Sequence, residues 1–208
     1  MGNGLPDTSG AGPVRGPGGD GGPILAFSSG DAWHAWLTEH HSGTGGVWLK
    51  LAKKGSGVES VSYAEALEVA LCYGWIDARK NTLDHQYWLQ RFTPRGARSK
   101  WSKVNCAKAT ALIESGAMQP AGHREVERAK ADGRWDAAYD PQRGAAVPAD
   151  LQRELDLDDR ARDFFASLDA HNRYAILHRI HDAKRPETRA RRIATFVRML
   201  SEHEKIYP

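Results

Sequence analysis

Cysteine is scarce in this chain: Cys72 and Cys106 are the only two among 208 residues, and no short motif joins them. A disulfide framework is therefore not expected, and a reducing compartment suits the sequence. Long apolar runs are missing as well. None approaches the roughly 20 residues that carry a helix across a bilayer. The opening "MGNGLPDTSG" has neither a basic n-region nor an apolar h-region, which argues against a secretory signal. Pro6 occupies the place where a myristoylation pattern needs Ser or Thr. Together these absences predict a cytoplasmic protein. Strong charge of one sign is also lacking. The net charge of +3 names no partner by itself, so local clustering has to be read instead.

What is present suits a globular protein: 40% apolar residues, 26% charged residues, and seven Trp and five Phe to fill a core. Residues 1–23 are Gly- and Pro-rich and read as a disordered tail, because they offer too little apolar surface to offset the entropy of ordering. "GPGGDG" (16–21) formally fits G-x-G-x-x-G, but no strand precedes it and no helix follows, so it carries no nucleotide-binding expectation.

From residue 24 the pattern changes. Asp31 is placed to cap a helix bearing Trp33, Trp36, Leu37 and His40. "VWLKLAKK" (47–54) alternates as a strand does, and Ser62 with Glu65 spells a capping box before an apolar helix. "WIDARK" and "HQYWLQRF" read as two strands around a turn at Asn81–Asp84. Ser102 and Pro120 each mark a helix start. The fold class expected for 24–139 is α+β, with a small antiparallel sheet. A linker follows over 140–148. Beyond it only helical patterns appear, near 149–156, 159–168, 171–183 and 186–202, so 149–208 reads as a C-terminal helical module. Ala190, Ile193, Phe196, Val197 and Leu200 form the expected apolar face of the last helix.

The densest candidate site is "LQRFTPRGARSKWSKVN" (89–105). It carries Arg91, Arg95, Arg98, Lys100 and Lys103 with no acidic residue, and Phe92 and Trp101 lie among them. Guanidinium forks grip phosphate or carboxylate, and aromatic faces stack planar rings. A solvated basic loop pegged to the core by its aromatics is the plainer alternative. Gln90 and Asn105 add amides nearby, and two-residue alternation sets Trp75, Asp77 and Arg79 on one strand face. Asp77 is then placed to pair with Arg79, Arg91 or Arg95. "KRPETRARR" (184–192) is a second basic cluster, in which Arg189 and Arg192 share a helical face and could hold the helical module against acidic groups of the first domain.

His171, Tyr174, His178 and His181 also share a face, but no zinc-ligand spacing accompanies them. Cys106 lies in a basic neighbourhood that could lower a thiol pKa. No nucleophile motif and no paired carboxylates are present, so no catalytic residue is assigned, and the residues call for no cofactor or metal.

Several stretches together, "ALCYGWIDARKNTLD", "YWLQRFTPRGARSKWSKVN", "AKADGRWDAAYD" and "AKRPETRARRIATFVRML", resemble the bacteriocin-protection, YdeI/OmpD-associated family. The part from about Val147 to Leu200 is similar to that family's OmdA helical module, and the earlier part resembles the YjbR/CyaY-like α+β fold. The resemblance implies a role in tolerance of stress and antimicrobial peptides, with no established activity and hence no catalytic residues. Three functions follow as expectations. The first is binding of an anionic small molecule or a protein partner through Arg91, Arg95, Arg98, Trp101, Ser102 and Lys103. The second is nucleic-acid binding by the same surface with Arg189 and Arg192. The third is an enzyme with a site around Asp77, Gln90, Arg95 and Asn105.

Overall fold

The computed structural model describes residues 16–17, 22–141 and 144–208. Most of the Gly/Pro-rich tail, most of "GPGGDG", and Gln142 and Arg143 of the linker lie outside the described residues. The chain forms two compact units. One runs through Trp101 and then takes Asn105–Ala137; the other joins Ser102–Val104 to Ala138–Pro208.

The first unit is α+β. Its elements are β1 (Ile24–Leu25), α1 (Gly30–His40), β2 (Val47–Ala52), α2 (Tyr63–Cys72), β3 (Trp75–Thr82), β4 (Tyr87–Pro94), all but the first two residues of α3 (Lys103–Glu114), and α4 (Pro120–Ala131). The sheet order is β1-β2-β4-β3. The three longer strands are antiparallel as expected. The short β1 departs from that pattern and pairs parallel to β2, so the sheet is mixed.

Local signals explain most element ends. The Ser62–Glu65 capping box is formed in full, each side chain meeting the other residue's backbone N–H. For α1 the cap is Ser29 and not Asp31: the Ser29 hydroxyl accepts the Ala32 N–H, and Asp31 falls in the first turn, where the helix dipole favours it. Gly74 ends α2 at φ 71°, a left-handed conformation suited to glycine, and a Cβ there would crowd the Ala121 carbonyl of α4.

The core is aromatic. Trp33, fully buried, packs 5.3 Å from Phe27, 6.2 Å from Trp75 and 6.0 Å from Phe92, and its indole N–H donates to Ala66 O at 3.1 Å. Leu37, Val47, Leu49, Leu51, Ala66 and Leu71 complete it. Gly16 lies against the Trp48 indole so closely that a Cβ there would overlap the ring.

Among the described residues the second unit has four helices, α5 (Ala149–Asp156), α6 (Asp159–Ser167), α7 (Ala170–His181) and α8 (Pro186–Ser201). Asp158 caps α6 and Asp169 caps α7, each accepting a backbone N–H three residues on. Leu151, Leu155, Phe165, Ile176, Ile180, Ile193, Phe196 and Leu200 form its core. Ala190 is exposed, contrary to the sequence reading. The position one turn before Ile193 that points inward is Arg189, which is half-buried.

One irregularity shapes the sheet. The β3–β4 register shifts between Asp77 and Lys80: Asp77 pairs with Phe92, and Lys80 pairs with Gln90. This bulge breaks the two-residue alternation, so Lys80 and not Arg79 follows Asp77 on the same face. The buried Gln90 amide donates to Arg79 O and to Arg91 O, both at 3.1 Å, and so satisfies a carbonyl that the bulge takes out of the ladder. Gln90→Leu is expected to cost about 1–3 kcal/mol by orphaning those carbonyls. Urea denaturation checks this, and an unchanged midpoint would show that water serves the bulge equally well.

Candidate functional site

Of the five basic side chains in 89–105, Arg91 and Arg95 are buried, while Arg98, Lys100 and Lys103 are exposed. Arg91 is 4% exposed; its guanidinium lies 5.9 Å over the Trp48 ring and within reach of Gly22 and Gly46. Arg95 is 5% exposed. Its guanidinium carbon is 3.5 Å from the Trp101 ring centroid, and one nitrogen donates to Lys100 O at 3.0 Å. Trp101 is itself 2% exposed and packs 4.9 Å from Trp135. Arg128 donates to Arg95 O, and Arg134 donates to Ser99 O, so α4 and the segment after it clasp the loop from the other side. Stacked, hydrogen-bonded arginines of this kind hold a loop in one shape.

The remaining sequence-predicted residues divide. Ser102 and Asn105 are buried, while Arg79, Arg98 and Lys103 are exposed. Lys103 pairs with Asp140 at 2.6 Å, within the second unit. Arg189 forms a two-pronged pair with Asp150, at 2.5 and 2.9 Å, and also donates to Ile180 O at 2.9 Å. Its carboxylate partner belongs to the helical unit itself rather than to the first domain. Those bonds hold the Asp150 carboxyl below the usual carboxylate range, against an opposing push from desolvation. Arg192 donates to Arg179 O, again inside the helical unit.

The cysteines are not poised for chemistry. Burial pushes the Cys72 thiol up to about 11. Cys106 is also raised, because burial outweighs the nearby Arg95; this corrects the expectation of a lowered thiol. The histidine face divides too. His171 stacks on Tyr207 at 4.5 Å, whereas Tyr174, His178 and His181 line a small cavity of about 50 Å³ with Tyr139 and Asp140. Tyr174 donates to Asp140 O at 3.2 Å, and burial, then Tyr139 and Asp140, raise its pKa. No group of three or more His, Cys, Asp or Glu able to hold a metal occurs among the described residues.

An open concavity does exist, on the sheet face beside the bulge. Tyr63, Asp77, Ala78, Lys80, Trp88 and Gln90 line about 420 Å³ of it. A neighbouring hollow of about 460 Å³ shares Lys80 and Trp88 and adds Asn81 and Thr82. The Tyr63 hydroxyl donates to the Asp77 carboxylate at 2.9 Å, and the Tyr63 and Trp88 rings lie 6.0 Å apart. Sequence reasoning placed Asp77 and Gln90 here, but Arg95 and Asn105 do not line it. Tyr63, Lys80 and Trp88 were missed. Trp88 could have been found by stepping two residues back from Gln90 along the strand.

An α+β unit followed in sequence by a four-helix unit is the class of protein that this architecture defines. Residues 145–203, which take in all four helices of the second unit, match the family model described as "Bacteriocin-protection, YdeI or OmpD-Associated" (OmdA). Residues 25–125 match a domain of unknown function, DUF8412, a match that lends no support to the YjbR/CyaY-like grouping. Searches of the curated proteins and of the solved structures each returned no match. No helix among the described residues is long and apolar enough to cross a membrane.

Proposed function

We propose that this is a bacterial tolerance protein against stress and antimicrobial peptides, acting in the cytoplasm by binding rather than by catalysis. The OmdA match over 145–203 carries the biological half of this reading. The binding half moves from the basic loop to the Trp88 cleft. In the loop, Arg91, Arg95 and Trp101 are consumed by packing. In the cleft, aromatic and polar groups converge on open space. Open to solvent, and lined by aromatic rings with a few polar groups around them, the cleft suits recognition better than turnover. The YjbR/CyaY-like grouping adds only an analogy of fold.

The test is a challenge experiment. Cells expressing the chain are expected to need several-fold more of a cationic antimicrobial peptide or bacteriocin for growth arrest than cells carrying an empty vector. Trp88→Ala should erase the difference at equal protein level. No protection by the wild-type chain would overturn the reading.

Nucleic-acid binding is the second reading, favoured by the exposure of Arg98, Lys100 and Lys103 in one stretch. It requires affinity that falls steeply with salt, by about 0.9 in log–log slope per phosphate contact on duplex DNA. A gel shift with no complex at low salt removes it.

A further inference from the structure

We infer that the Trp88 cleft recognises a neutral, hydroxyl-rich ring, that is, a saccharide, stacked on the Trp88 indole between Asp77 and Lys80. The inference rests on the proposal that this cleft is the protein's binding site.

Three observations converge on that chemistry. The first is aromatic surface left open. Trp88 is half-buried and Tyr63 is 38% exposed, and the two rings meet at 45° across the cleft. Together they form a corner rather than a flat platform. The C–H face of a pyranose gains dispersion contacts on such a surface and needs no charge to do so.

The second is the polar set around the rings. Asp77 is an acceptor whose carboxylate is oriented by Tyr63 at 2.9 Å. Lys80 is a donor, and Asn81 and Thr82 can both donate and accept. Vicinal hydroxyls satisfy both kinds of group, because each hydroxyl donates once and accepts twice.

The third is charge balance. One carboxylate and one ammonium line the cleft. What a phosphate-bearing strand gains at Lys80 it loses at Asp77, and the reverse holds for a cationic peptide, so neither sign of charge is favoured. A neutral polyol uses both groups at once, because its hydroxyls donate to Asp77 and accept from Lys80.

The cleft is also preorganised. Its floor is β3 and β4, and the Gln90 amide fixes the bulge that brings Lys80 onto the face of Asp77. The two hollows share Lys80 and Trp88, so the groove continues along the strands and can seat more than one ring of a chain.

The test is a glycan array bearing neutral and acidic glycans, probed with the full chain and followed by calorimetry on the best soluble neutral oligosaccharide. Neutral glycans are expected to bind, with Trp88→Ala lowering affinity at least tenfold, Asp77→Asn lowering it several-fold, and Trp88→Phe restoring part of the loss. Glu127→Ala, an exposed α4 position outside the cleft lining, should leave affinity unchanged. Circular dichroism of each variant separates lost binding from lost fold, and Trp88→Phe keeps the test meaningful if Trp88→Ala unfolds. Binding confined to acidic glycans, to a ten-nucleotide oligo-dT or to poly-lysine would overturn the inference, as would no neutral glycan bound at all. Sugar binding that Trp88→Ala abolishes while cellular tolerance persists would sink the proposed function instead. Tolerance that depends on Trp88 with no glycan bound would sink only the saccharide.

Discussion

Replacing Trp101 by Ala is expected to lower the stability of the α+β unit by about 3–5 kcal/mol, the usual cost of deleting a buried indole. Two losses combine. The ring leaves a void against Trp135, its neighbour at 4.9 Å. Its face also supports the Arg95 guanidinium at 3.5 Å, and Arg95 is 5% exposed. Without the ring, a desolvated cation loses its stacking partner. Trp101→Phe keeps an aromatic face and should cost about 1–2 kcal/mol. Urea denaturation followed by circular dichroism measures both. A loss below about 1 kcal/mol for Trp101→Ala would mean that the basic loop is solvated. Its arginines would then be available to an anion after all.

In the helical unit, Arg189→Ala is expected to cost about 1–2 kcal/mol. Bonds to a charged group are individually stronger than that, and the figure is lowered here for partial solvent access. Arg189 joins the start of α5, through Asp150, to the last turn of α7, through Ile180 O. The alanine variant therefore loses bonds to two helices at once. Asp150→Asn removes the charge but keeps the shape, and a double-mutant cycle between the two sites should return a coupling close to the single losses.

The pair also makes stability pH-dependent. Because folding depresses the Asp150 carboxyl, its contribution is complete above the unfolded carboxylate value of about 4 and is lost as pH falls from there through the lower folded value. Asp150→Asn should flatten that acid limb. An unchanged acid limb in the variant would assign the pH dependence to other carboxylates, such as the caps Asp158 and Asp169.

Much of the fold is legible in the sequence because its signals are local. The capping box at Ser62–Glu65 and the prolines opening α4 and α8 act within one turn of the residues that spell them. The α+β arrangement and the helical C-terminal part follow from periodicity. The site is less legible, because its decisive features are not local. Clustering of Arg91, Arg95 and Arg98 in sequence says nothing about which guanidinium finds a ring to lie on. Arg91 lies over Trp48, forty-three positions back in the chain. The cleft was hidden by the bulge, since strict alternation pairs Asp77 with Arg79, and only the β4 register shows that Lys80 takes that place. Arg189 was read as a link to another domain because its acidic partner, Asp150, is far from it in sequence yet beside it in the packed helices.

The bulge has one more consequence, for what the sheet does not do. β3 is an outer strand, and past Asp77 its residues are exposed. A straight outer strand is a template on which another chain can polymerise. Here the register fault interrupts the row of backbone groups after three residues, and Arg79 and Lys80 set positive charge on the interruption. The same kink that shapes the proposed recognition surface therefore also makes the outer edge of the sheet a poorer template. Straightening it by deleting one residue between Asp77 and Lys80 would do two things at once: it would scramble the cleft and leave a longer, stickier margin.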